Sequence, residues 1–221
     1  MATDVITIDG PTSSGKNSVG FLLAQKLGYQ YIDSGMIYRA GALKMLSGGI
    51  TLDEKPKILE VFRSLDVQFK MNSGWKMFLD GEDVTDSLHT PEISQLTSKV
   101  SAIWDVRKIM KVLQRKIADN GQIVMSGRDV GSEIFPDSKF KFFLTADVEV
   151  RANRRFKQLQ KKDPETNYTA VLEDMIERDK RDSEREASPM RVPKDAVVID
   201  NSKLSVEQTV EEILKYIHAQ S

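Results

Sequence analysis

The sequence contains no cysteine, and this absence removes two classes of chemistry at once. Neither disulfide bonds nor thiolate metal sites can form, and the lack of cysteine is compatible with a reducing compartment. No apolar run approaches the ~18 residues that a bilayer-spanning helix needs, and no basic segment followed by an apolar one opens the chain. We therefore expect a soluble, cytoplasmic protein that does not engage a membrane.

The chain also lacks an excess of charge of either sign. Its formal net charge is −1, although 29% of its residues are charged. Without an overall basic field, nucleic acid is not an expected partner. Any binding of small anions must come from local clusters of arginine.

No long linker divides the 221 residues, which are enough for one sizeable α/β core. Short apolar runs alternate with segments of helical periodicity along most of the chain. We expect a single domain over residues 1–221 that carries a small insertion.

The clearest motif is a phosphate-binding loop near the start of the chain. A short apolar run, residues 5–8, ends just before Gly10, and a segment with apolar residues at helical spacing begins at Ser18. Between them, the spacing Gly10-x4-Gly15-Lys16 is typical of a loop whose backbone N–H groups converge on a phosphate at the start of a helix. Lys16 adds an ammonium group for the outer phosphates.

The residue after this lysine departs from the usual pattern. A serine or threonine normally stands there and contacts Mg²⁺, but here Asn17 occupies the position and the hydroxyl group follows at Ser18. Ser18 is therefore our candidate magnesium contact.

Polar residues follow two further core strands that the sequence predicts near residues 30–32 and 123–125. Ser34 and Arg39 follow the first, and Arg128 and Asp129 follow the second. Open α/β sheets bind ligands at the carboxyl ends of their strands, so these residues are expected beside the phosphate loop. A capped helix with one surface arginine is the alternative interpretation of Ser34 and Arg39.

Between the predicted core strands the periodicity changes. Apolar and polar residues alternate over residues 65–85, which predicts a small antiparallel sheet inserted into the α/β chain. The helical region that follows, residues 90–117, carries Arg107 in its apolar stripe, where an arginine either extends out of the core or meets a ligand. Ser98 lies opposite Arg107 on a straight helix, so both can reach one ligand only if the region bends near residues 102–105.

A polar loop, residues 160–165, precedes an unusual helix. Residues 177–186 of that helix include no apolar side chain, so we expect no core packing in that half. Helical spacing places four of its charged residues on one side: Arg178, Arg181, Asp182 and Arg185. A solvated face with local ion pairs is the alternative, but three arginines beside a polar loop favour closure of a lid over phosphates.

Five stretches together resemble the bacterial cytidylate kinases, which are nucleoside monophosphate (NMP) kinases. They are IDGPTSSGK (8–16), IDSGMIYR (32–39), SGRDVGSEIFPD (126–137), RANRR (151–155) and IERDKRDSER (176–185). The phosphate loop is common to many nucleotide-binding proteins, whereas the GRDVG and ERDKRDSER stretches are far more specific. The resemblance implies an α/β, three-layer P-loop kinase fold with a five-stranded parallel sheet of order 2-3-1-4-5. It also implies that residues 65–85 belong to an NMP-binding region over residues 34–118, and that residues 156–168 form a lid.

The same resemblance implies transfer of the γ-phosphoryl group of ATP to CMP, and to dCMP, with Mg²⁺ in pyrimidine nucleotide salvage. ATP binding is implied for Gly10, Pro11, Thr12, Ser13, Ser14, Gly15, Lys16, Asn17, Ser18 and Arg155. Catalytic roles are implied for Lys16, Arg128, Arg178, Arg181 and Arg185. Contacts to the acceptor nucleotide are implied for Ser34, Arg39, Ser98, Arg107, Arg128, Asp129, Asp182 and Arg185. In this set Arg39, Arg128 and Arg185 hold the CMP phosphate; Ser98, Arg107 and Asp129 read the base; and Asp182 contacts the ribose. We also expect a monomer.

Two other functions stay open on the sequence. One is a different small-molecule P-loop kinase that phosphorylates UMP, AMP or a non-nucleotide alcohol. The other is a nucleotide-dependent switch that uses residues 65–85 to contact a partner. Against the switch, the chain has no Asn-Lys-x-Asp motif for guanine, and its arginines would crowd a site that holds no second anion.

Overall fold

A computed structural model of the chain describes residues 4–71, 74–119, 121–161 and 163–220. Its strands are β1 (Val5–Asp9), β2 (Gln30–Asp33), β3 (Val67–Lys70), β4 (Lys76–Leu79), β5 (Glu82–Asp83), β6 (Ile123–Gly127), β7 (Phe140–Thr145) and β8 (Val197–Asp200). Its α-helices are α1 (Lys16–Leu27), α2 (Ser34–Ser47), α3 (Lys55–Arg63), α4 (Pro91–Val100), α5 (Trp104–Ile117), α6 (Val148–Gln160), α7 (Tyr168–Glu184) and α8 (Val206–Gln220).

Five of these strands form one parallel sheet in the order β2-β6-β1-β7-β8. Numbered within this sheet alone, the order is 2-3-1-4-5, so the predicted topology is confirmed. Successive side chains of a strand point to opposite faces, and the strand residues divide accordingly between two apolar clusters. Val5 and Ile123 pack in a cluster with α2, α3 and α5, whereas Ile6 and Val124 pack in a cluster with α1 and α8. Helices therefore cover both faces, which gives the predicted three layers.

The register of the sheet determines where the ligand-binding segments meet. Asp9 at the end of β1 pairs with Gly127 at the end of β6, and Asp33 at the end of β2 pairs with Ser126. The phosphate loop, the start of α2 and the segment after β6 consequently leave the sheet at the same level. This common edge places the predicted site residues within reach of one another.

The predicted β insertion is present as the antiparallel sheet β3-β4-β5. It packs against the main sheet, because the indole N–H of Trp75 donates to the Tyr31 carbonyl oxygen at 3.1 Å and the side chain of Gln30 donates to the Phe69 carbonyl oxygen at 2.9 Å. Phe69 and Met77 are buried in the same cluster as α3 and α5. The insertion thus shares the main core. Asn72 and Ser73, which the sequence places in its first turn, lie outside the described residues.

The helical region 90–117 is interrupted, as a ligand shared by Ser98 and Arg107 would require. Helix α4 ends at Val100 and α5 begins at Trp104, so the break lies at residues 101–103. The guanidinium of Arg107 donates to the Ser101 carbonyl oxygen at 2.9 Å, which ties α5 to the break. The predicted bend is confirmed and lies one or two residues earlier than expected.

Three local expectations differ from the structure. Helix α1 begins at Lys16 rather than at Ser18, because Gly15 adopts the left-handed conformation that ends the loop. Helical spacing places Ile176 with Val171, Leu172 and Met175 on one apolar face of α7, but Ile176 is 49% exposed. Helices occupy both ends of the predicted lid, residues 156–168, which leaves residues 161–167 as the connection; Lys162 lies outside the described residues. None of the helices within the described ranges has the length and apolar character that crossing a membrane requires.

Candidate nucleotide site

The phosphate loop connects β1 to α1 through backbone geometry that favours glycine. Gly10 has a φ of 154°, and a Cβ atom there would lie 2.2 Å from the carbonyl oxygen of Leu144 on the neighbouring strand. Gly15 has a φ of 87° and a Cβ atom there would be strained. The side-chain amide of Asn201 donates to the Ser14 carbonyl oxygen at 2.8 Å and holds the middle of the loop. The loop is therefore fixed by close approach to the backbone of β7 at Gly10 and by the side chain of Asn201 at Ser14.

Lys16 lies at the start of α1 with only 8% of its surface exposed. Its ammonium group donates to the Pro11 carbonyl oxygen at 2.9 Å, across the concave side of the loop. Burial, followed by the charge of Arg128, holds the pKa of the ammonium well below its ordinary value. Anionic phosphate oxygens would stabilise this poorly solvated charge, as expected for a phosphate-binding lysine.

Asn17 joins the phosphate loop to the neighbouring strands. Its amide nitrogen donates to the Asp33 carboxylate at 2.5 Å, and its oxygen accepts from the Ser126 hydroxyl at 3.5 Å. Ser18 is exposed on the first turn of α1. The departure from the usual motif thus places an amide between the loop and the ends of β2 and β6, and leaves the next hydroxyl open to solvent.

Arg128 connects the segment after β6 to the phosphate loop and to α7. Its guanidinium donates to the Asp182 carboxylate at 2.7 Å, to the Gly10 carbonyl oxygen at 3.1 Å and to the Thr12 hydroxyl at 2.8 Å. All three partners are in segments predicted to bind nucleotides. Arg128 is consequently central among the predicted phosphate-binding groups.

The charged half of α7 has no buried apolar side chain, as the sequence predicted, and ion pairs anchor it instead. Arg178 and Asp182 are half-buried, and Arg185 approaches the Asp129 carboxylate at 3.6 Å. Burial and the charges of nearby arginines, Arg128 first, lower the pKa of Arg178 to about 10. Salt bridges to the sheet edge replace the apolar contacts that the sequence lacks.

Arg107 is buried, which decides between the two positions left open by the sequence. Its guanidinium is ion-paired with the carboxylate of Asp129, and it lies over the Tyr38 ring at 5.8 Å from the ring centroid. Arg107 is 6% exposed and Asp129 is 7% exposed. The two predicted base-reading residues therefore form one buried unit of a carboxylate and a guanidinium.

Ser98 and Arg181 lie at the margin of the site. The Ser98 hydroxyl is 3.5 Å from the guanidinium of Arg181, so it contacts α7 rather than the Arg107–Asp129 pair. The side chain of Arg181 is 51% exposed and lies 3.6 Å from the carboxylate of Glu177 on its own helix. Of the four charged residues expected on one side of α7, Arg181 is the one that stays at the surface.

On the opposite side of the cleft, Arg39 extends from α2 towards α4. Its guanidinium donates to the Leu88 carbonyl oxygen and to the Ser94 hydroxyl, each at 2.8 Å. Burial lowers the pKa of Arg39, and the charge of Arg155 lowers it further. Ser34, at the start of α2, is buried beside Gly127, where an added Cβ atom would lie 2.4 Å from its hydroxyl oxygen. Mutual repulsion between half-buried arginines is the electrostatic signature of a site for anions.

Asp179 and Arg151 were not among the predicted site residues, yet both hold the tip of the phosphate loop. Asp179 accepts from the backbone N–H of Thr12 at 2.9 Å and is ion-paired with Arg151. Arg151 also donates to the Thr12 carbonyl oxygen at 3.1 Å. Both residues belong to stretches that carry the resemblance, but their contacts join three segments distant in sequence. No local pattern identifies such contacts.

Comparison with known proteins identifies the family. A cytidylate kinase family model matches residues 6–219. The chain belongs to the cytidylate kinase family. The cytidylate kinase of Caldanaerobacter subterraneus subsp. tengcongensis is 45% identical over 212 residues, which cover 96% of this chain and 93% of that protein. The cytidylate kinase of Bacillus subtilis is 38% identical over 217 residues, which cover 98% of this chain and 97% of that protein.

Solved structures confirm the fold class. A shikimate kinase from Acinetobacter baumannii, in complex with shikimate, gives a TM-score of 0.51 at 17% identity and covers 99% of this chain and 95% of that chain. A shikimate kinase from Bacteroides thetaiotaomicron gives 0.50 at 14% identity, with coverages of 98% and 99%. At such identities the likeness shows the fold alone. Fold and family together confirm the predicted enzyme class, a phosphotransferase of the cytidylate kinase family.

Proposed function

We propose that this cytidylate kinase family member transfers the γ-phosphoryl group of ATP to CMP and dCMP, giving ADP and CDP or dCDP, and so serves pyrimidine nucleotide salvage. The observation that carries the proposal is the buried Arg107–Asp129 pair beside a cluster of arginines at the phosphate loop. Such a unit offers both hydrogen-bond donors and acceptors to a base, while the arginines supply positive charge for two sets of phosphates. This arrangement suits a nucleotide acceptor better than an alcohol.

The donor nucleotide occupies the loop from Gly10 to Ser18. Its backbone N–H groups and the start of α1 face the β- and γ-phosphates, and Lys16 neutralises their outer oxygens. Arg155 contributes from α6 on the opposite side, where its charge already lowers the pKa values of Arg39 and Arg178. The positions of these groups support the donor site but leave the adenine without an assigned contact.

The acceptor nucleotide lies between α2, the segment after β6 and α7. Arg39, Arg128 and Arg185 hold its phosphate, because a guanidinium gives two parallel hydrogen bonds and keeps its charge. Arg107 and Asp129 read the base, and Ser98 borders it. Asp182 contacts the ribose, and Ser34 closes the floor of the pocket.

Positioning and charge neutralisation account for the chemistry. An oxygen of the CMP phosphate attacks the γ-phosphorus of ATP, and the bond to the ADP oxygen breaks, so no general base is required. The contacts of Arg128 with both the phosphate loop and Asp182 support a position between the two nucleotides. Arg178, Arg181 and Arg185 approach with α7 and stabilise the charge spread over the transferring group.

Magnesium fits the oxygen groups at the start of α1. Mg²⁺ keeps several of its waters and needs only one or two protein oxygens besides the phosphates. The exposed hydroxyl of Ser18 and the carboxylate of Asp33, which already accepts from Asn17, would hold it. When bound, the ion neutralises phosphate charge and orients the γ-phosphoryl group.

The magnesium requirement tests the role of Ser18. We expect Ser18→Ala to raise the Mg²⁺ concentration for half-maximal rate more than Asn17→Ala does, because only Ser18 offers an exposed hydroxyl to the ion. The measurement is initial rate against free Mg²⁺ at saturating nucleotides. An unchanged requirement in Ser18→Ala would exclude this hydroxyl as a contact.

We further propose one domain over residues 1–221, with residues 34–118 as the acceptor-binding region. The segment 156–168 serves as a lid that excludes water during transfer. Its two helical ends pack through Phe156 and Tyr168, whose rings meet edge to face with centroids 5.8 Å apart. We also propose a cytoplasmic monomer that has no nucleic-acid partner. The net charge of −1 supports the absence of a nucleic-acid partner.

Asp179 offers a test of how α7 contributes to donor binding. Asp179→Asn removes the charge that pairs with Arg151 and weakens the acceptor for the Thr12 N–H, so the loop tip loses its contact with α7. Hydrogen bonds to charged groups contribute about 1.5 kcal/mol or more, so KM for ATP should rise about tenfold. Asp174→Asn, at an exposed position of the same helix, is the matched control and should leave KM unchanged. An unaltered KM for ATP in Asp179→Asn contradicts this role.

A panel of acceptors tests the proposed function itself. With ATP and Mg²⁺, the purified protein should phosphorylate CMP and dCMP much faster than UMP, AMP or shikimate. Preference for another acceptor would replace CMP in the proposal. Slow ATP hydrolysis that no acceptor accelerates would favour the nucleotide switch.

A further inference from the structure

Asp9 is a buried carboxylate in the centre of the site that none of the roles above uses. It is the last residue of β1 and directly precedes Gly10, the first residue of the phosphate loop. Its side chain is completely shielded from solvent. A carboxylate at such a position is costly unless every oxygen has a partner.

Both oxygens of Asp9 accept hydrogen bonds from the segment after β6. One accepts from the Val130 backbone N–H at 2.8 Å, and the other accepts from the Gly131 backbone N–H at 2.7 Å. These two residues immediately follow Arg128 and Asp129. Because an ionised carboxylate is an acceptor on both oxygens, it matches two adjacent N–H donors as no amide can.

The turn that presents these N–H groups is pressed tightly onto β1. A Cβ atom at Gly131 would lie 2.7 Å from the hydroxyl of Thr7 and 3.1 Å from the carboxylate of Asp9. Contacts this close require glycine or a shift of the turn. The turn therefore packs directly against β1, and this contact fixes the distance between them.

We infer that Asp9 is a positioning residue for the acceptor site: it fastens the turn that carries Arg128 and Asp129 to the strand that carries the phosphate loop, and so fixes the CMP-binding groups relative to the ATP-binding groups. This inference rests on the proposed roles of Arg128 and Asp129. Asp9 itself touches no nucleotide in this arrangement. Its effect on the acceptor site passes through the two N–H groups.

The electrostatics of the site make the hydrogen bonds between Asp9 and the turn sensitive to pH. The pKa of Asp9 is raised to about 7: burial is the main cause and the Asp129 carboxylate adds to it, while the hydrogen bonds from Gly131 and Val130 and the charge of Lys16 partly oppose the shift. Protonation turns one oxygen into a hydroxyl group, which is a weaker acceptor for a backbone N–H and carries a proton that needs an acceptor of its own. The turn should consequently loosen as the pH falls through neutrality.

A rise in pH should change the stability of the fold and the affinity for CMP in opposite directions. A carboxyl group whose pKa is higher in the folded than in the unfolded chain favours folding most at low pH, and that contribution disappears as the pH rises through the folded value. Relative to Asp9→Asn, the wild type should therefore lose thermal stability between pH 5 and pH 8. Over the same range its CMP binding should improve.

The experiment compares wild type, Asp9→Asn and the exposed control Asp4→Asn, with KM for CMP and KM for ATP measured at several pH values. Asp9→Asn leaves one buried N–H without its acceptor, so KM for CMP should rise roughly five- to a hundredfold while KM for ATP changes far less. CMP's own phosphate titrates in this range equally with every variant. In wild type and Asp4→Asn, KM for CMP should depend on pH more strongly than this shared titration explains. In Asp9→Asn this additional pH dependence should be absent.

Equal rises in both KM values, or the same pH dependence in wild type and Asp9→Asn, would overturn the inference, because a merely structural carboxylate predicts these results. If Asp9→Asn does not fold, Gly131→Ala carries the same test, since its methyl group pushes the turn away from Asp9. It should raise KM for CMP selectively, and an unselective effect counts against the inference. A wild type that does not phosphorylate CMP refutes the proposed function instead.

Discussion

Replacing Lys16 with methionine is expected to lower kcat for CMP phosphorylation by about a hundred- to a thousandfold, the usual consequence of removing one preorganised electrostatic contact to a transition state. The ammonium group of Lys16 donates across the phosphate loop to the Pro11 carbonyl oxygen, which in the proposed donor site lies beside the outer phosphates of ATP. Methionine keeps most of the aliphatic chain and removes only the charge. Steady-state kinetics at saturating ATP and CMP measure the effect.

The fold should survive this substitution. Burial lowers the pKa of Lys16 in the folded chain, so the charged lysine costs folding free energy at neutral pH. Lys16→Met should therefore keep or raise the midpoint temperature of unfolding. Lys26→Met, at an exposed position of the same helix, is the matched control and should alter neither kcat nor stability. Near-normal turnover in Lys16→Met would contradict the proposal that this loop binds the phosphates of ATP.

The sheet and the phosphate loop could be predicted because their determinants are local. A buried strand, two glycines and a lysine at fixed spacing determine the loop, and Gly10 and Gly15 do adopt the conformations that the spacing requires. The order of the sheet came from the resemblance, and the alternation of strands and helices alone would have given only a parallel sheet. Patterns within single segments were therefore sufficient to predict the strands and helices and the sheet edge at which the predicted site residues meet.

The charged half of α7 shows where local reasoning fails. Its lack of apolar residues correctly predicted that no apolar core packs there and favours closure over phosphates, but it did not reveal which groups hold the half-helix in place. Asp179 reaches Thr12, 167 residues away in the chain, and Asp182 reaches Arg128, 54 residues away. Ion pairs between distant segments have no periodicity, so a single sequence does not reveal them.

Arg107 illustrates an intermediate case. Its place in an apolar stripe identified it as unusual, but helix geometry left open whether it faced solvent or a pocket. Its partner Asp129 shows that Arg107 faces a pocket, because this buried carboxylate, 22 residues later in the chain, forms an ion pair with the guanidinium. Sequence reasoning found both residues, and the fold supplied the pair.

Changing Asp129 to asparagine is expected to reduce the preference for CMP over UMP. Cytosine has an amino group at its position 4, which a carboxylate can accept, and acceptors at N3 and O2, to which Arg107 can donate. Uracil has an acceptor at position 4 and a proton on N3, so the carboxylate repels the first and the guanidinium opposes the second. Asparagine keeps the size of Asp129 but can turn its N–H₂ group towards the uracil oxygen.

The expected size follows from the hydrogen-bond mismatch. A mismatch in a closed pocket costs ~1–3 kcal/mol, so the ratio of kcat/KM for CMP to that for UMP should fall by roughly ten- to a hundredfold. Asp129 also pairs with Arg107 and approaches Arg185 at 3.6 Å, so its loss should weaken binding of both nucleotides. The ratio isolates base reading from that shared loss. Asp137→Asn, exposed in the same stretch of chain, is the matched control.

Arg107→Met provides the second arm of this test, because it removes a donor and offers nothing to the uracil oxygen. CMP binding should weaken in this variant without much improvement for UMP, so the CMP-over-UMP ratio also falls, mainly through the loss for CMP. In Asp129→Asn the ratio should fall with a smaller loss for UMP than for CMP. If Asp129→Asn instead loses activity on both nucleotides by the same factor, the carboxylate serves only to hold Arg107 and Arg185 in place, and its assignment to the base is wrong.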